Sequence, residues 1–217
     1  LVCLILPAKN EEKCIGATVK KIKDVCEHLR ILVVDGNSTD RTVEIAMQYG
    51  VEVIYDHGLG KGEALRCAFN YADDDVVFLD VDGTYPVGTI PDFIEALDEY
   101  DLVVGERVEF TGDALPGLFL IGDALSRGLF HLLYSYRLDN LSGLRSIRKE
   151  AIQKMSLESN DFAIETEITA KAVRLGLRIK KIPITYRSRT GTSKFRPVRD
   201  GMIVLKALFK YRFLTIV

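Results

Sequence analysis

A single α/β domain, a doubly wound and mostly parallel sheet with helices on both faces, is predicted by two observations. Strand-like runs at residues 2–6, 31–35, 51–55 and 76–80 alternate with helix-like segments at 12–29, 40–49 and 62–72, the pattern of βα units around a parallel sheet. Each junction that follows a strand is polar or glycine-rich: Pro7-Ala-Lys-Asn-Glu11, Asp35-Gly-Asn-Ser-Thr-Asp40 and Gly58-Leu-Gly-Lys-Gly62. These loops therefore belong to one sheet edge, the carboxyl edge at which such sheets bind ligands. The fourth run, Val76-Val-Phe-Leu79, is apolar and bounded by charge, as a strand buried on both faces requires. After Pro91 a short helix to residue 99 and a strand at 102–105 follow. Beyond them a loop is expected at 108–117, a helix at 118–136, a strand at 144–147, a helix at 164–175, a strand at 178–186 and a last helix from about 198.

With 217 residues and 47% hydrophobic content, the chain buries a full core. Its 29 basic and 31 acidic residues nearly cancel, so no overall field attracts nucleic acid and any anion site is local. The cysteines at 3, 14, 26 and 67 show no C-x-x-C spacing and read as small buried hydrophobes in a reducing cytoplasm. No signal peptide is expected, and no apolar run reaches the roughly 20 residues that span a bilayer. The ends read as trimmed: the chain opens inside an apolar strand and stops at Phe213-Leu-Thr-Ile-Val217, which resembles the start of a longer segment.

The most informative stretch is Phe78-Leu-Asp-Val-Asp-Gly-Thr84, where a buried strand delivers Asp80 and Asp82 into a loop. Two chemistries use such a pair. In one, the carboxylates hold Mg²⁺ or Mn²⁺ against a diphosphate; in the other, the first Asp attacks phosphate itself. Asp35 ends the second strand, where an acid commonly meets a ribose or a base, and Ser38 or Thr39 is expected to cap the following helix; read alone, the loop is explained equally well by Asp35 and Asn37 shaping a turn. In the 58–62 loop the glycines permit close backbone approach, and Lys61 beside a helix start suits a phosphate; read alone, an ordinary glycine-rich turn is the better explanation.

Taken in order along nearly the whole chain, Pro7-Ala-Lys-Asn-Glu11, Val33-Val-Asp-Gly-Asn-Ser-Thr-Asp40, Gly60-Lys-Gly62, Asp80-Val-Asp82, Ser142-Gly-Leu-Arg145 and Gly191-Thr-Ser-Lys194 resemble the inverting GT-A glycosyltransferases of family 2. Within that family they are most similar to the polyprenyl-phosphate sugar synthases, such as the dolichyl-phosphate mannose synthases. The resemblance implies a GT-A catalytic domain over residues 1–197, with a nucleotide-sugar half to 105 and an acceptor half after it. It also implies transfer of a hexose from a nucleotide diphosphate sugar, of the GDP-mannose or UDP-glucose type, to a dolichyl or polyprenyl phosphate on the cytoplasmic membrane face. Carried over, Pro7, Lys9, Glu11, Val33 and Asp35 line the nucleotide pocket, with Lys61, Val81, Arg178 and Arg187 as further donor-binding positions. Asp80 and Asp82 hold Mg²⁺ or Mn²⁺, and Thr84 stands near the metal. Lys9, Asn37 and Thr84 depart from common family residues, which leaves base and sugar undefined.

A phosphate acceptor already carries anionic oxygens near neutrality and needs cations rather than a base. Arg107, Arg127, Arg187, Arg189 and Lys194 are the candidates for that role, with Ser126 as a hydroxyl contact. Glu165 and Glu167, at the head of a helix, either complement its dipole or serve as base toward a hydroxyl acceptor. The final helix, 198–217, mixes apolar residues with Arg199, Lys206, Lys210 and Arg212; it lies in a membrane interface or packs as core. The competing reading is a haloacid-dehalogenase-type phosphatase with Asp80 as nucleophile and Gly122-Asp123 as a later motif. In that family the motif usually lies on the first core strand, whereas here three βα units precede it.

Overall fold

The computed structural model describes residues 1–112, 117–190 and 194–214, with the side chain of residue 118 left aside. Strands β1 (Val2–Ala8), β2 (Arg30–Asp35), β3 (Glu52–Tyr55), β4 (Asp75–Phe78), β5 (Leu102–Phe110), β6 (Arg145–Ile147) and β7 (Ile179–Tyr186) form one sheet in the order β3-β2-β1-β4-β6-β5-β7. All neighbours are parallel except β6, which runs antiparallel to both β4 and β5. The helices are α1 (Ile15–Val25), α2 (Thr42–Gln48), α3 (Lys61–Ala72), α4 (Ile90–Glu95), α5 (Gly117–Tyr134), α6 (Lys149–Met155), α7 (Ile164–Arg174) and α8 (Pro197–Phe213).

The two-residue period of a strand decides which layer each side chain joins. Cys3, Ile5, Leu32, Val34, Val76, Phe78, Leu102 and Val104 point to one face and pack with residues of α3, α5, α6, α7 and α8. Leu4, Leu6, Ile31, Val33, Val77 and Val103 point to the other and pack with α1, α2 and α4. Both faces are covered, which is why the central strands read as continuous apolar runs rather than alternating ones.

The chain leaves β1 toward β2 and β3, then returns to place β4 on the opposite side of β1. That reversal makes a topological switch point between β1 and β4, and the crevice beyond their carboxyl ends is where a doubly wound sheet binds its ligand. The Pro7–Glu11 loop and the Asp80–Thr84 loop both emerge there.

Two expectations are corrected. Residues 108–110, read as loop, extend β5 and pair with β7 as far as Tyr186, across an irregularity between Arg107 and Glu109; residues 113–116 lie outside the described residues. Helix α6 was not anticipated. Its seven residues bury only Ala151 and Met155, too short a stripe to announce itself.

Candidate active site

The carboxyl ends of β1, β2 and β3 are tied in register by backbone bonds from Gly36 N–H to Ala8 O (2.8 Å) and from Asp56 N–H to Asp35 O (3.1 Å). The cleft beyond them is lined by Pro7, Lys9, Glu11, Gly36, Asp56, Lys61, Asp80, Val81, Phe162, Arg189 and Lys194. Asp35 is buried at the end of β2, next to Gly36 of the lining: Oδ2 accepts Ser38 N–H at 2.9 Å, while Oδ1 has no protein partner. A buried carboxylate oxygen without a donor is costly, and a ligand N–H or O–H at that point would satisfy it. Asp56, which sequence reasoning passed over, is buried on the same wall and accepts Gly58 N–H. Burial pushes its carboxyl above the ordinary range. Its signal was available, since it is the first residue after β3 as Asp35 is the last of β2.

At the centre of the cleft the charges are paired. Lys61 Nζ lies 2.6 Å from Asp80 Oδ1 and 2.6 Å from Glu165 Oε1. Burial works against that ammonium, yet the two carboxylates outweigh it and hold its pKa well above the ordinary lysine value. Asp82 is almost fully buried. Its Oδ1 accepts both the backbone N–H (3.1 Å) and the hydroxyl (2.6 Å) of Thr84, and its Oδ2 lies 3.2 Å from Arg189 Nε, an ion pair whose N–H does not point at the oxygen. Burial, with the Asp80 charge beside it, pushes the Asp82 carboxyl above its usual range. Glu11 Oε1 takes Lys194 Nζ and, at 3.5 Å, Arg189 Nη2. Arg189 thus meets Asp82 and Lys194 meets Glu11, and Phe195 makes ring contacts with Phe119 and Phe162.

Gly143 seals the inner end. A β-carbon there would sit 2.9 Å from Asp80 Oδ2, 3.1 Å from Lys61 Nζ and 3.1 Å from the Tyr85 hydroxyl, which accepts Gly143 N–H. Glycine in the Ser142-Gly-Leu-Arg145 stretch is thus a packing requirement of the acid and base beside it.

Several predicted site residues stand elsewhere. Val33 is wholly buried in the core layer of α1 and α2, because an inward strand side chain two residues before Asp35 cannot also line the cleft. Arg178 pairs with Asp101 (Nη2 to Oδ1, 2.8 Å) at the amino end of β7, the opposite sheet edge, about 25 Å away by strand length. Arg107 is buried and fully engaged, binding Asp139 through Nε (2.6 Å) and Nη2 (2.8 Å) and Asp123 through Nη2. Arg127 binds the same two acids, so these arginines build a structural network and Asp123 is no phosphatase motif. Ser126 is buried and accepts from Asn140. The Arg187 side chain is exposed, and its backbone N–H goes to Thr84 O. Thr84 itself is buried behind Asp82 as its support. Ser38 and Thr39 bond Asn10, and the carboxylate meeting the start of α2 is that of Asp40. Glu167 accepts the N–H groups of Glu158 and Ser159 and pairs with Lys171, a structural role, whereas Glu165 faces Lys61. Residues 191–193 lie outside the described residues.

Gly60 and Gly62 serve the protein's own backbone, whereas a β-carbon on Gly58 would meet the Asn37 side chain. A β-carbon on Gly60 would lie 2.6 Å from Asn160 O, and Gly62 is blocked by the same 159–161 segment. They admit that loop against the start of α3, and Lys61 is directed to carboxylates.

Glucosyl-3-phosphoglycerate synthase from Mycobacterium tuberculosis, in complex with Mn²⁺, UDP and phosphoglyceric acid, superimposes with a TM-score of 0.78 at 24% identity, covering 99% of this chain and 79% of that one. The architecture is therefore that of the GT-A transferases. The chain belongs to glycosyl transferase family 2, whose model matches residues 3–155. A dolichyl-phosphate hexose transferase of Haloferax volcanii is 30% identical over 213 residues, covering 96% of this chain and 92% of that protein. The glycosyltransferase AglJ of the same organism is 32% identical over 216 residues, covering 96% and 71%. An undecaprenyl-phosphate mannosyltransferase of Micrococcus luteus is 27% identical over 216 residues, covering 89% and 86%.

Proposed function

We propose that this glycosyltransferase moves a hexose, with inversion, from a nucleotide diphosphate sugar to a polyprenyl phosphate at a membrane surface. The observation that carries this reading is the charge pairing in the cleft. Asp80 and Glu165 share Lys61, Asp82 faces Arg189, and Glu11 faces Lys194 and Arg189. The carboxylates around the acid pair are thus matched to cations rather than left to take a proton from a hydroxyl. A phosphate acceptor needs no base, and cations are what it does need.

The donor is assigned to this cleft, whose cavity volume is about 220 Å³ and which opens to solvent. Asp35 Oδ1 offers a buried acceptor for the nucleoside. Asp80 and Asp82 supply hard oxygen donors suited to Mg²⁺ or Mn²⁺, and the raised pKa of buried Asp82 beside the Asp80 charge marks a cost that a divalent ion would relieve. Such an ion supplies Lewis-acid stabilisation of the departing diphosphate. Lys61, beside Asp80 and Glu165, together with Arg189 and Lys194, would supply the cations for the phosphates. Relatives named for dolichyl-phosphate and undecaprenyl-phosphate substrates support the acceptor class. Incubation with labelled GDP- or UDP-hexose, Mn²⁺ and polyprenyl phosphate is expected to give alkali-stable glycolipid of inverted configuration. Transfer to free sugars but not to the lipid phosphate would overturn the acceptor.

No helix among the described residues is long and apolar enough to cross a bilayer. Helix α8 buries Val204, Ala207, Leu208 and Tyr211, yet its outer face exposes Val198, Met202, Phe209 and Phe213. Neighbouring α5 exposes Leu120, Ile121, Leu125 and Leu132. With Arg199, Lys206, Lys210 and Arg212 also exposed on α8, this surface suits an anionic bilayer. The paired Phe209→Glu and Phe213→Glu substitutions touch only exposed positions and are expected to reduce flotation with anionic liposomes severalfold. Unchanged flotation would exclude α8 as the contact.

A further inference from the structure

We propose that His57, Glu63 and Cys67 form a second cation site, chemically distinct from the Asp80–Asp82 pair and suited to Zn²⁺ or another borderline divalent ion. Glu63 and Cys67 lie four residues apart on one face of α3, and His57 reaches them from the loop after β3. One ligand atom from each residue falls within 4.8 Å of the others. Glu63 Oε1 stands 2.7 Å from His57 Nδ1 and 2.9 Å from Cys67 Sγ, while Glu63 Oε2 accepts the His57 backbone N–H at 3.0 Å and fixes the loop against the helix.

The donor set selects the ion. Imidazole, carboxylate and thiolate together suit Zn²⁺ and its neighbours, whereas Mg²⁺ prefers oxygen alone. The Glu63 side chain is 7% exposed and, among the described residues, no Lys or Arg pairs with it. A divalent ion would replace the Cys67 S–H proton, which leaves to solvent, and would take the Nδ1 lone pair of neutral His57. One thiolate and one carboxylate then balance its two charges. The His57 side chain is 80% exposed, so a fourth position stays open to water, as three-ligand zinc sites allow.

The site has a consequence for the cleft. Asp56, next to His57, lines it and holds Gly58 through its carboxylate. Pinning His57 to α3 stiffens the wall that carries both residues, so Zn²⁺ occupancy would order the cleft from behind.

Cobalt(II) titration of the full chain with Mg²⁺ present at saturation tests the assignment. One equivalent is expected to bind with a near-ultraviolet thiolate-to-cobalt charge-transfer band, which Zn²⁺ displaces and Mg²⁺ does not. Cys67→Ser should abolish the band. His57→Ala, at an exposed position that leaves the core intact, should weaken Co²⁺ binding by about tenfold or more. The proposal is overturned by the absence of a thiolate band in the parent protein, by a band that persists in folded Cys67→Ser and so belongs to another cysteine, or by unchanged affinity in His57→Ala. Should Cys67→Ser not fold, the His57→Ala comparison decides.

Discussion

Asp82→Asn is expected to lower metal-dependent transfer by about 10²–10³-fold, the scale set by losing one electrostatic contact to a developing charge, while making the ligand-free protein more stable. The second effect follows from the raised pKa. Burial and the Asp80 charge disfavour ionised Asp82 in the folded state, so the folded protein holds that proton more tightly than the unfolded chain does. At pH values above the folded pKa the ionised carboxyl costs stability. That cost shrinks as pH falls through the folded pKa toward the ordinary value of 3.8 and is gone below it. An amide retains an acceptor for Thr84 N–H and never incurs the cost, so the variant should melt higher at pH 7. A gain of about 1 kcal/mol would read as roughly 2–4 °C. The advantage should vanish on acidification and reverse at saturating Mn²⁺ with nucleotide, which stabilises only a protein able to bind them. Thermal melts across pH with and without Mn²⁺ make the measurement. A variant that melts lower than its parent at pH 7 without ligand would contradict the account of Asp82, and retained transfer would contradict its role.

What the sequence reveals about this site depends on how local the signal is. Asp80, Asp82, Asp35 and Glu11 were legible because a strand followed by a polar loop states both its place in the sheet and the edge it faces. The antiparallel insertion of β6 between β4 and β5 was not, since three residues carry no direction. The arginines divide on the same principle. Arg189 and Lys194 sit in a basic loop whose position after a strand constrains them to the carboxyl edge. Arg107 became structural only through Asp123 on α5 and Asp139 on a distant loop, and the i,i+4 spacing of Asp123 and Arg127 is the one local sign of this four-residue network. Arg178 shows the reverse case: one strand length decides whether a basic residue belongs to the site, and it lies at the wrong end. Lys61 has a different partner: a lysine among glycines suggests phosphate, whereas Gly60 and Gly62 make room for the 159–161 backbone and the lysine pairs with Asp80 and Glu165.

Gly60→Ala should therefore damage both fold and site. Gly60 has φ of 139° and ψ of −179°, a region essentially restricted to glycine, and its β-carbon would meet Asn160 O at 2.6 Å. The obstacle is not a flexible side chain. Asn160 O already accepts Glu63 N–H at 3.1 Å, and Arg66 Nη1 clamps the same loop through Asn160 Oδ1 (2.7 Å) and Glu158 O (2.9 Å). Backbone strain and overlap together should cost about 2–4 kcal/mol, lowering the melting temperature by roughly 5–15 °C. Gly176→Ala separates the two causes: φ is 64° there, but nothing lies within 4 Å of the added carbon, so strain acts without overlap and the loss should be smaller. The functional consequence comes through the loop. Residues 158–161 lead into α7, and moving them off α3 draws Glu165 away from Lys61, leaving the lysine paired with Asp80 alone. At a temperature where Gly60→Ala is still folded, transfer should fall together with apparent metal affinity, because an undivided Lys61 competes more strongly for Asp80. Equal loss of stability in the two glycine variants would show that strain alone governs position 60, and unchanged metal affinity would show that the loop contact does not set the Lys61–Glu165 pair.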